Sequence, residues 1–134
     1  MRAYKKILVV DDSPFCLKMA KQQLQPYNVQ VQTANNGLEA LQAVQEDQFD
    51  LILMDICMPV LDGLRASRAI RRLASKSHDK VPIVAVSASA DLDVCVKFGM
   101  NDYFPKPAHY PTILRRWLPE LNWGDALEWS QTTH

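Results

Sequence analysis

Three short runs of apolar residues, each ending at an acidic or hydroxyl side chain, constrain the fold of this chain most strongly. The runs cover residues 7–10, 51–54 and 81–86. They are continuous rather than alternating, which is typical of strands buried on both faces of a parallel sheet. Weaker patterns at residues 29–33 and 102–104 predict two further strands. The chain is therefore expected to form a five-stranded parallel sheet.

Helical patterns fall between these strands. Ser13 followed by Pro14 predicts a capped helix start, and Asn36 with Glu39 three residues later resembles a capping box. Gly99 has the place of a left-handed residue after a helix. The remaining helices are expected over residues 62–73, 91–98 and 111–118. Right-handed crossovers between the strands then place helices on both faces of the sheet.

Composition and charge limit the class of protein. The chain has 134 residues, of which 48% are hydrophobic and 22% are charged, and these values are typical of one folded domain. Its 15 basic and 15 acidic residues balance, whereas nucleic-acid-binding proteins normally carry a basic excess. We therefore expect no direct nucleic-acid partner.

The sequence also predicts a cytoplasmic domain without a membrane segment. No apolar run approaches the roughly 20 residues that span a bilayer, and the apolar segment near the N-terminus is too short for a signal peptide. Cys16, Cys57 and Cys95 are widely spaced and form no CxxC pair. That pattern argues against a metal finger or a disulfide framework and fits a reducing compartment.

Five polar side chains follow the predicted strands directly: Asp11, Asp12, Asp55, Ser87 and Lys106. Each Asp alone could be only a turn-forming residue at a strand end. Together they fall at the carboxyl ends of parallel strands, where ligands of such sheets bind. Three converging carboxylates repel each other and favour a hard divalent cation, most simply Mg²⁺. With a lysine and a hydroxyl beside them, they indicate a phosphoryl-transfer site.

The segments that carry these residues resemble the receiver domain of two-component response regulators. The matching segments are residues 6–13 (KILVVDDS), 53–63 (LMDICMPVLDG), 86–88 (VSA) and 102–107 (DYFPKP). The resemblance covers residues 5 to about 118 of the chain. It implies a flavodoxin-like (βα)5 fold with the strand order 2-1-3-4-5.

The resemblance also implies a phosphorylation site and a magnesium site. Asp55 would accept a phosphoryl group from the phosphohistidine of a sensor histidine kinase or a histidine phosphotransfer domain. Asp11, Asp12, Asp55 and the backbone carbonyl of Cys57 would bind Mg²⁺. The domain would catalyse only its own phosphorylation and dephosphorylation, and would act as a stand-alone regulator or as the receiver piece of a hybrid kinase.

The remaining roles implied by the resemblance concern the conformational switch. Lys106 would pair with the phosphoryl oxygens and Ser87 would donate a hydrogen bond to one of them. Tyr103 would turn inward when Ser87 moves. The Lys106–Pro107 peptide bond is expected to be cis, as is common in the family.

The sequence departs from the family pattern in its fourth helix and beside the phosphoacceptor. The segment between Ser87 and Lys106 is shorter than usual by about one helical turn, which puts in doubt the output surface that receivers commonly use there. Cys57 and Ser89 offer neither a carboxylate nor an amide to orient an attacking water, which predicts slow autodephosphorylation. Residues 1–120 are expected to form the receiver and residues 121–134 a short tail. Trp123 and Trp129 of that tail would pack back on the domain or contact a partner.

Three alternatives remain at this level. A haloacid-dehalogenase-like phosphatase also uses a strand-end Asp nucleophile, but needs a second Asp at the position of Cys57. A flavin-binding electron carrier would need a hydroxyl-rich loop in place of Asp11 and Asp12. A degenerate receiver could serve only as an interaction module, although all five site positions are present.

Overall fold

In the computed structural model of the protein, which describes residues 4–73 and 80–121, a parallel sheet forms the centre of the domain. Neighbouring strands are parallel, and their order is β2-β1-β3-β4-β5. The predicted fold class and strand order are thus confirmed. The strands are β1 (Lys6–Val10), β2 (Gln30–Ala34), β3 (Leu51–Met54), β4 (Ile83–Ser87) and β5 (Asp102–Pro105).

The helices between these strands begin mostly at the predicted caps. Side-chain oxygens of Ser13, Asn36, Asp62 and Asp91 accept hydrogen bonds from backbone N–H groups in the first helical turn. Such bonds satisfy donors that a helix start leaves unpaired. The helices with described bounds are α1 (Pro14–Leu24), α2 (Gly37–Glu46), α3 (Gly63–Arg71), α4 (Leu92–Lys97) and α5 (Tyr110–Trp117). A short 3-10 turn at Gln25–Tyr27 follows α1.

Several predicted boundaries of strands and helices are wrong by one or two residues, including the following three. β4 begins at Ile83 rather than at residue 81, because Pro82 has no N–H to donate to the sheet. α3 ends at Arg71, and its last turn tightens so that Leu73 lies beyond it. α5 begins at Tyr110, one residue before the expected proline start, without a side-chain cap.

The predicted capping box at α2 is only half formed, and the predicted glycine is left-handed. The Glu39 N–H donates to Asn36 at 2.8 Å. The Glu39 carboxylate, however, accepts from the Asn35 backbone N–H at 2.9 Å rather than from Asn36. Gly99 has a φ of +96°, a conformation that glycine adopts without steric strain.

The core lies in two layers, one on each face of the sheet. Alternate residues of β1 and β3 point to opposite faces, and they are almost completely buried on both. One layer packs the sheet against α2, α3 and α4, and the other packs it against α1 and α5. Burial on both faces is the reason why these strands read as continuous apolar runs. No helix among the described residues is long and apolar enough to cross a membrane.

The amino-end rim of the sheet holds a group of mutually contacting residues, here called the Lys6 cluster, formed by Lys6, Asp47, Phe49 and Asp50. The Lys6 ammonium forms an ion pair with Asp47 and lies 5.3 Å from the centre of the Phe49 ring. The Lys6 backbone N–H donates to the Asp50 carboxylate at 2.8 Å. Each charge of Lys6 and Asp47 therefore has a partner within the domain.

Candidate functional site

The carboxyl ends of β1 and β3 bring three carboxylates together, here called the acidic cluster: Asp11, Asp12 and Asp55. One oxygen from each carboxylate lies within 4.8 Å of the others. The backbone sets this geometry, because Asp55 N–H donates to Val10 O at 2.9 Å and Asp11 N–H donates to Ala34 O at 3.1 Å. Asp11 and Asp55 are buried, whereas Asp12 faces solvent. The three predicted residues thus share one small pocket that is open on the Asp12 side.

Lys106 reaches this cluster from the end of β5. Its ammonium lies 2.7 Å from an Asp11 oxygen and 3.4 Å from an Asp55 oxygen. Its backbone N–H donates to the carbonyl of Ser87 at 3.0 Å, which ties the residue to the end of β4. The predicted cis bond between Lys106 and Pro107 is present.

The charges at this rim are unbalanced. Burial, and after it the charge of Asp11, raises the pKa of Asp55 above its usual range, although Lys106 and Ser87 oppose this shift. Burial opposes the charge of Lys106, but its hydrogen bond to Asp11 and the charges of Asp55 and Asp11 outweigh burial and raise its pKa. Two carboxylates therefore contact one protonated amine, a third carboxylate lies beside them, and negative charge is in excess within this group.

The donor set fits a hard divalent cation. The cluster offers carboxylate oxygens, which Mg²⁺ prefers, and exposed Asp12 leaves room for the waters that Mg²⁺ retains. Cys57 lies in the loop after β3 with its thiol exposed. The Gly63 N–H donates to Ile56 O at 2.9 Å and holds this loop against the pocket. A Cβ atom at Gly63 would lie 2.1 Å from the Asp55 carbonyl oxygen, so the close approach requires glycine.

The two predicted switch residues contact each other beside the acidic cluster. Ser87 is the last residue of β4 and is 1% exposed. Its hydroxyl interacts with Asp55 and favours the charged form of that carboxyl group. The Tyr103 hydroxyl donates to the backbone carbonyl of Ser87 at 3.3 Å. The structure therefore places both residues where the resemblance implies, while their roles stay predictions.

Sequence reasoning missed one neighbour of the cluster. The sequence patterns assign Cys16 no place in the site, yet its Sγ lies 3.8 Å from the Lys106 ammonium. Since α1 starts at Pro14, two residues after Asp12, its first turn lies beside the site. The distance from Asp12 to Cys16 along the chain is the signal that could have indicated this contact.

Fold and site together define a flavodoxin-like α/β domain with an acidic pocket at the carboxyl ends of its central strands. The family model of the response regulator receiver domain matches residues 7–117, and the chain belongs to this family. Receiver domains are signalling modules, so the phosphatase and the flavin carrier are set aside. The match also agrees with the extent of the resemblance seen in the sequence.

Relatives and solved structures support this assignment. The chain is 38% identical over 122 residues to hybrid signal transduction histidine kinase B of Dictyostelium discoideum, covering 82% of this chain and 6% of that protein. The receiver domain of sensor histidine kinase PA1611 from Pseudomonas aeruginosa, solved with a magnesium ion in its active site cleft, is 35% identical. It has a TM-score of 0.77 and covers 87% of this chain and 99% of its own.

A third similarity is to a receiver seen with a partner. The complex of the Saccharomyces cerevisiae phosphotransfer protein Ypd1 with the receiver domain of Ssk1 matches at 26% identity and a TM-score of 0.73, covering 85% of this chain and 86% of that one. The chain itself spans between 5% and 16% of the length of eight curated relatives that it matches.

Proposed function

We propose that this domain accepts a phosphoryl group on Asp55 from a phosphohistidine and passes the signal on through a change of conformation. The observation that carries the proposal is the position of Asp55, buried at a strand end between a second carboxylate, a lysine and a hydroxyl. A single carboxylate in this setting can act as a nucleophile. Its neighbours then face the group it would receive.

The reaction balances with the residues present. A carboxylate oxygen of Asp55 attacks the phosphorus, the bond between phosphorus and the donor histidine nitrogen breaks, and an acyl phosphate forms. Lys106 and Ser87 lie beside Asp55 and would stabilise the charge on the transferred oxygens. Mg²⁺ bound by the acidic cluster and the Cys57 carbonyl would neutralise charge on the same oxygens.

Phosphorylation would shift a population between two conformations. The added charge gives Ser87 and Lys106 a new partner. The Tyr103 hydroxyl already donates a hydrogen bond to the Ser87 carbonyl, so movement of Ser87 toward the phosphoryl group would alter that hydrogen bond. The domain would regulate its partners in this way without turning over a separate substrate.

The donor we propose is a sensor histidine kinase or a histidine phosphotransfer protein in the cytoplasm. Support comes from the relatives, several of which are histidine kinases, and from the solved Ypd1–Ssk1 complex. We also propose that residues 1–120 form the receiver unit. Residues 122–134, with the predicted tail tryptophans, lie outside the described residues.

Labelling with a small phosphodonor tests this function. The protein is incubated with acetyl phosphate and Mg²⁺, and its intact mass is measured beside two variants. Asp55→Asn should show no phosphoryl adduct, because the nucleophile is absent. Asp93→Asn changes an exposed Asp of α4 and should be labelled like the native protein. An unlabelled native protein, under conditions that label other receivers, would contradict the proposal and favour the interaction module.

The lifetime of the phosphorylated form tests a finer point. The Cys57 and Ser89 side chains are exposed near the site, and neither provides a carboxylate or an amide to orient water. We therefore expect slow loss of the phosphoryl group after the phosphodonor is removed. Decay within seconds, followed by mass spectrometry, would exclude this part of the proposal.

A further inference from the structure

An open groove runs between α1 and β2, on the face of the sheet that also carries α5. This groove, here called the α1–β2 groove, encloses about 380 Å³ and is lined by Lys18, Lys21, Gln22, Gln25, Val29 and Val31. The lining residues at positions 18, 21 and 22 are spaced so that they share one side of α1. Since β2 is an edge strand of the sheet, the groove lies at the border of the domain.

The α1–β2 groove combines an apolar side with two positive charges. Val29 and Val31 are half-buried against the apolar layer of this face, whereas Lys18 and Lys21 are exposed. Within residues 4–73 and 80–121, neither of these two ammonium groups forms an ion pair. An occupant that complements this surface therefore carries apolar side chains together with acidic ones.

The described residues end close to this groove. Leu121 packs against the same apolar layer as the two valines of the groove. The Glu120 carboxylate lies 3.1 Å from the Lys5 ammonium, and the Lys5 carbonyl accepts the Gln30 N–H at 2.9 Å. Two consecutive contacts thus connect the end of the described chain with the start of β2.

The residues that follow have the composition that the groove requires. Residues 122–134, here called the C-terminal segment, include the apolar Trp123, Leu127 and Trp129 and the acidic Asp125 and Glu128, with no Lys or Arg among them. An extended chain covers about 3.3 Å per residue, so residues 122–129 could span roughly 26 Å. The eleven residues of α1 are only about 16 Å long. The segment is therefore long enough to follow the groove along the whole of α1.

We propose that the C-terminal segment binds in the α1–β2 groove of its own chain. A tryptophan of the segment would pack against Val29 and Val31, which removes apolar surface from water. The acidic residues of the segment would lie beside Lys18 and Lys21, and these charges would fix its direction. The bound segment would also lie along the edge strand β2 and hinder pairing of that edge with another chain.

Nuclear Overhauser effects between valine methyl groups and indole protons test this placement. In the native protein, the indole protons of Trp123 or Trp129 should give cross-peaks to the methyl groups of Val29 and Val31. Trp117 of α5 contacts the same apolar layer in any case, so only cross-peaks assigned to the C-terminal segment count. The measurement needs neither Mg²⁺ nor a phosphodonor, and its result is independent of the proposed phosphoryl transfer.

Charge reversal tests the role of the lysines. The double variant Lys18→Glu with Lys21→Glu should lose these cross-peaks, because like charges replace opposite ones. Lys97→Glu is the matched control, since Lys97 is an exposed lysine of α4 on the opposite face of the sheet, and it should keep them. Adding Asp125→Lys and Glu128→Lys to the double variant should restore the cross-peaks, which a general effect of the two glutamates on the fold would not explain.

Three results would overturn the inference. The first is a native protein without cross-peaks between the C-terminal segment and the two valines. The second is a double variant that keeps them at native intensity, because the lysines would then not hold the segment. The third is their appearance in a mixture in which one copy carries the labelled valines and another the protonated tryptophans, since the segment would then bind a second copy rather than its own chain.

Discussion

At one rim of the sheet a lysine is enclosed by its partners, and at the other a lysine is outnumbered by carboxylates. Lys6 at the amino-end rim has Asp47 for its ammonium, Asp50 for its backbone N–H and the Phe49 ring beside it. Lys106 at the carboxyl-end rim contacts two carboxylates of the acidic cluster, Asp11 and Asp55, and the third, Asp12, lies beside them. The same side-chain types thus build a closed pair at one end and an excess of charge at the other.

This difference separates stability from function. A paired charge gains from its partner in the folded state, so the Lys6 cluster contributes to folding. The acidic cluster keeps its carboxylates close despite their repulsion, and burial together with the charge of Asp11 raises the pKa of Asp55. Shifted pKa values of this kind are concentrated at functional sites. The comparison therefore predicts opposite responses when equivalent residues of the two rims are changed.

Replacing the two lysines should produce the largest difference. Lys106→Met removes the amine beside Asp55 and should slow phosphorylation by acetyl phosphate about a hundredfold or more, as loss of one charge-stabilising donor does in enzymes. Lys6→Met should leave that rate within about twofold of the native rate, because Lys6 lies at the opposite rim. Stopped-flow fluorescence or timed mass spectrometry measures both rates. Equal rates in the two variants would contradict the comparison.

Mg²⁺ should stabilise the native protein through one rim only. At a concentration one hundred times the Kd, binding should raise the free energy of unfolding by about 2.7 kcal/mol. Asp12→Asn removes an exposed carboxylate of the acidic cluster and should abolish most of this gain. Asp50→Asn alters the Lys6 cluster and should retain it. Urea titrations with and without Mg²⁺ measure the effect, and equal losses in both variants would refute the assignment of the cation to the acidic cluster.

Neutralising one carboxylate at each rim should change stability in opposite directions when Mg²⁺ is absent. Asp55→Asn relieves burial and repulsion of charge and should raise the free energy of unfolding at neutral pH by about 1 kcal/mol. Asp47→Asn weakens the pair with Lys6 and should lower it by about 1 kcal/mol, a small value because Asp47 is partly exposed. Chemical denaturation in EDTA measures both. A loss of stability in Asp55→Asn would show that the acidic cluster is not under repulsion.

The gain in Asp55→Asn should depend on pH. The pKa of Asp55 is raised in the folded state, so the folded protein holds this proton more tightly than the unfolded chain does. Stability therefore falls as pH rises from the unfolded pKa, about 3.9, through the higher folded pKa. Below both values the carboxyl group is neutral in both states, and the difference between native protein and variant should vanish. A difference that stays constant down to pH 3 would be inconsistent with the raised pKa.

Much of the fold could be predicted because local pattern and tertiary environment agree. β3 begins and ends at the predicted residues, since a strand buried on both faces is apolar throughout and stops at the first charge. The acidic cluster was predictable for a related reason, because carboxyl ends of parallel strands share one rim. The start of β4 follows from the missing N–H of Pro82, and the end of α3 is set by the hydrogen bonds of the Arg72 and Leu73 N–H groups, which the apolar pattern does not show.

The contact between Cys16 and Lys106 could not be predicted in this way. The two residues are 90 positions apart in the sequence, and they meet because the first turn of α1 lies beside the acidic cluster. The one signal in the sequence is the position of Cys16 shortly after Asp12. The short fourth helix was predicted and is present as α4, whereas its consequence for an output surface stays a prediction.

The carbonyl group of Ser87 accepts both the Lys106 N–H and the Tyr103 hydroxyl. One carbonyl group is therefore shared by Lys106, whose ammonium contacts the acidic cluster, and Tyr103, a partly buried residue of β5. Thermodynamic linkage makes this coupling reciprocal. If phosphorylation of Asp55 strengthens the binding of a protein at the Tyr103 surface, binding of that protein favours the phosphorylated state of Asp55 to the same extent. A downstream target would thus shift the equilibrium between the unphosphorylated and the phosphorylated domain, in addition to responding to it.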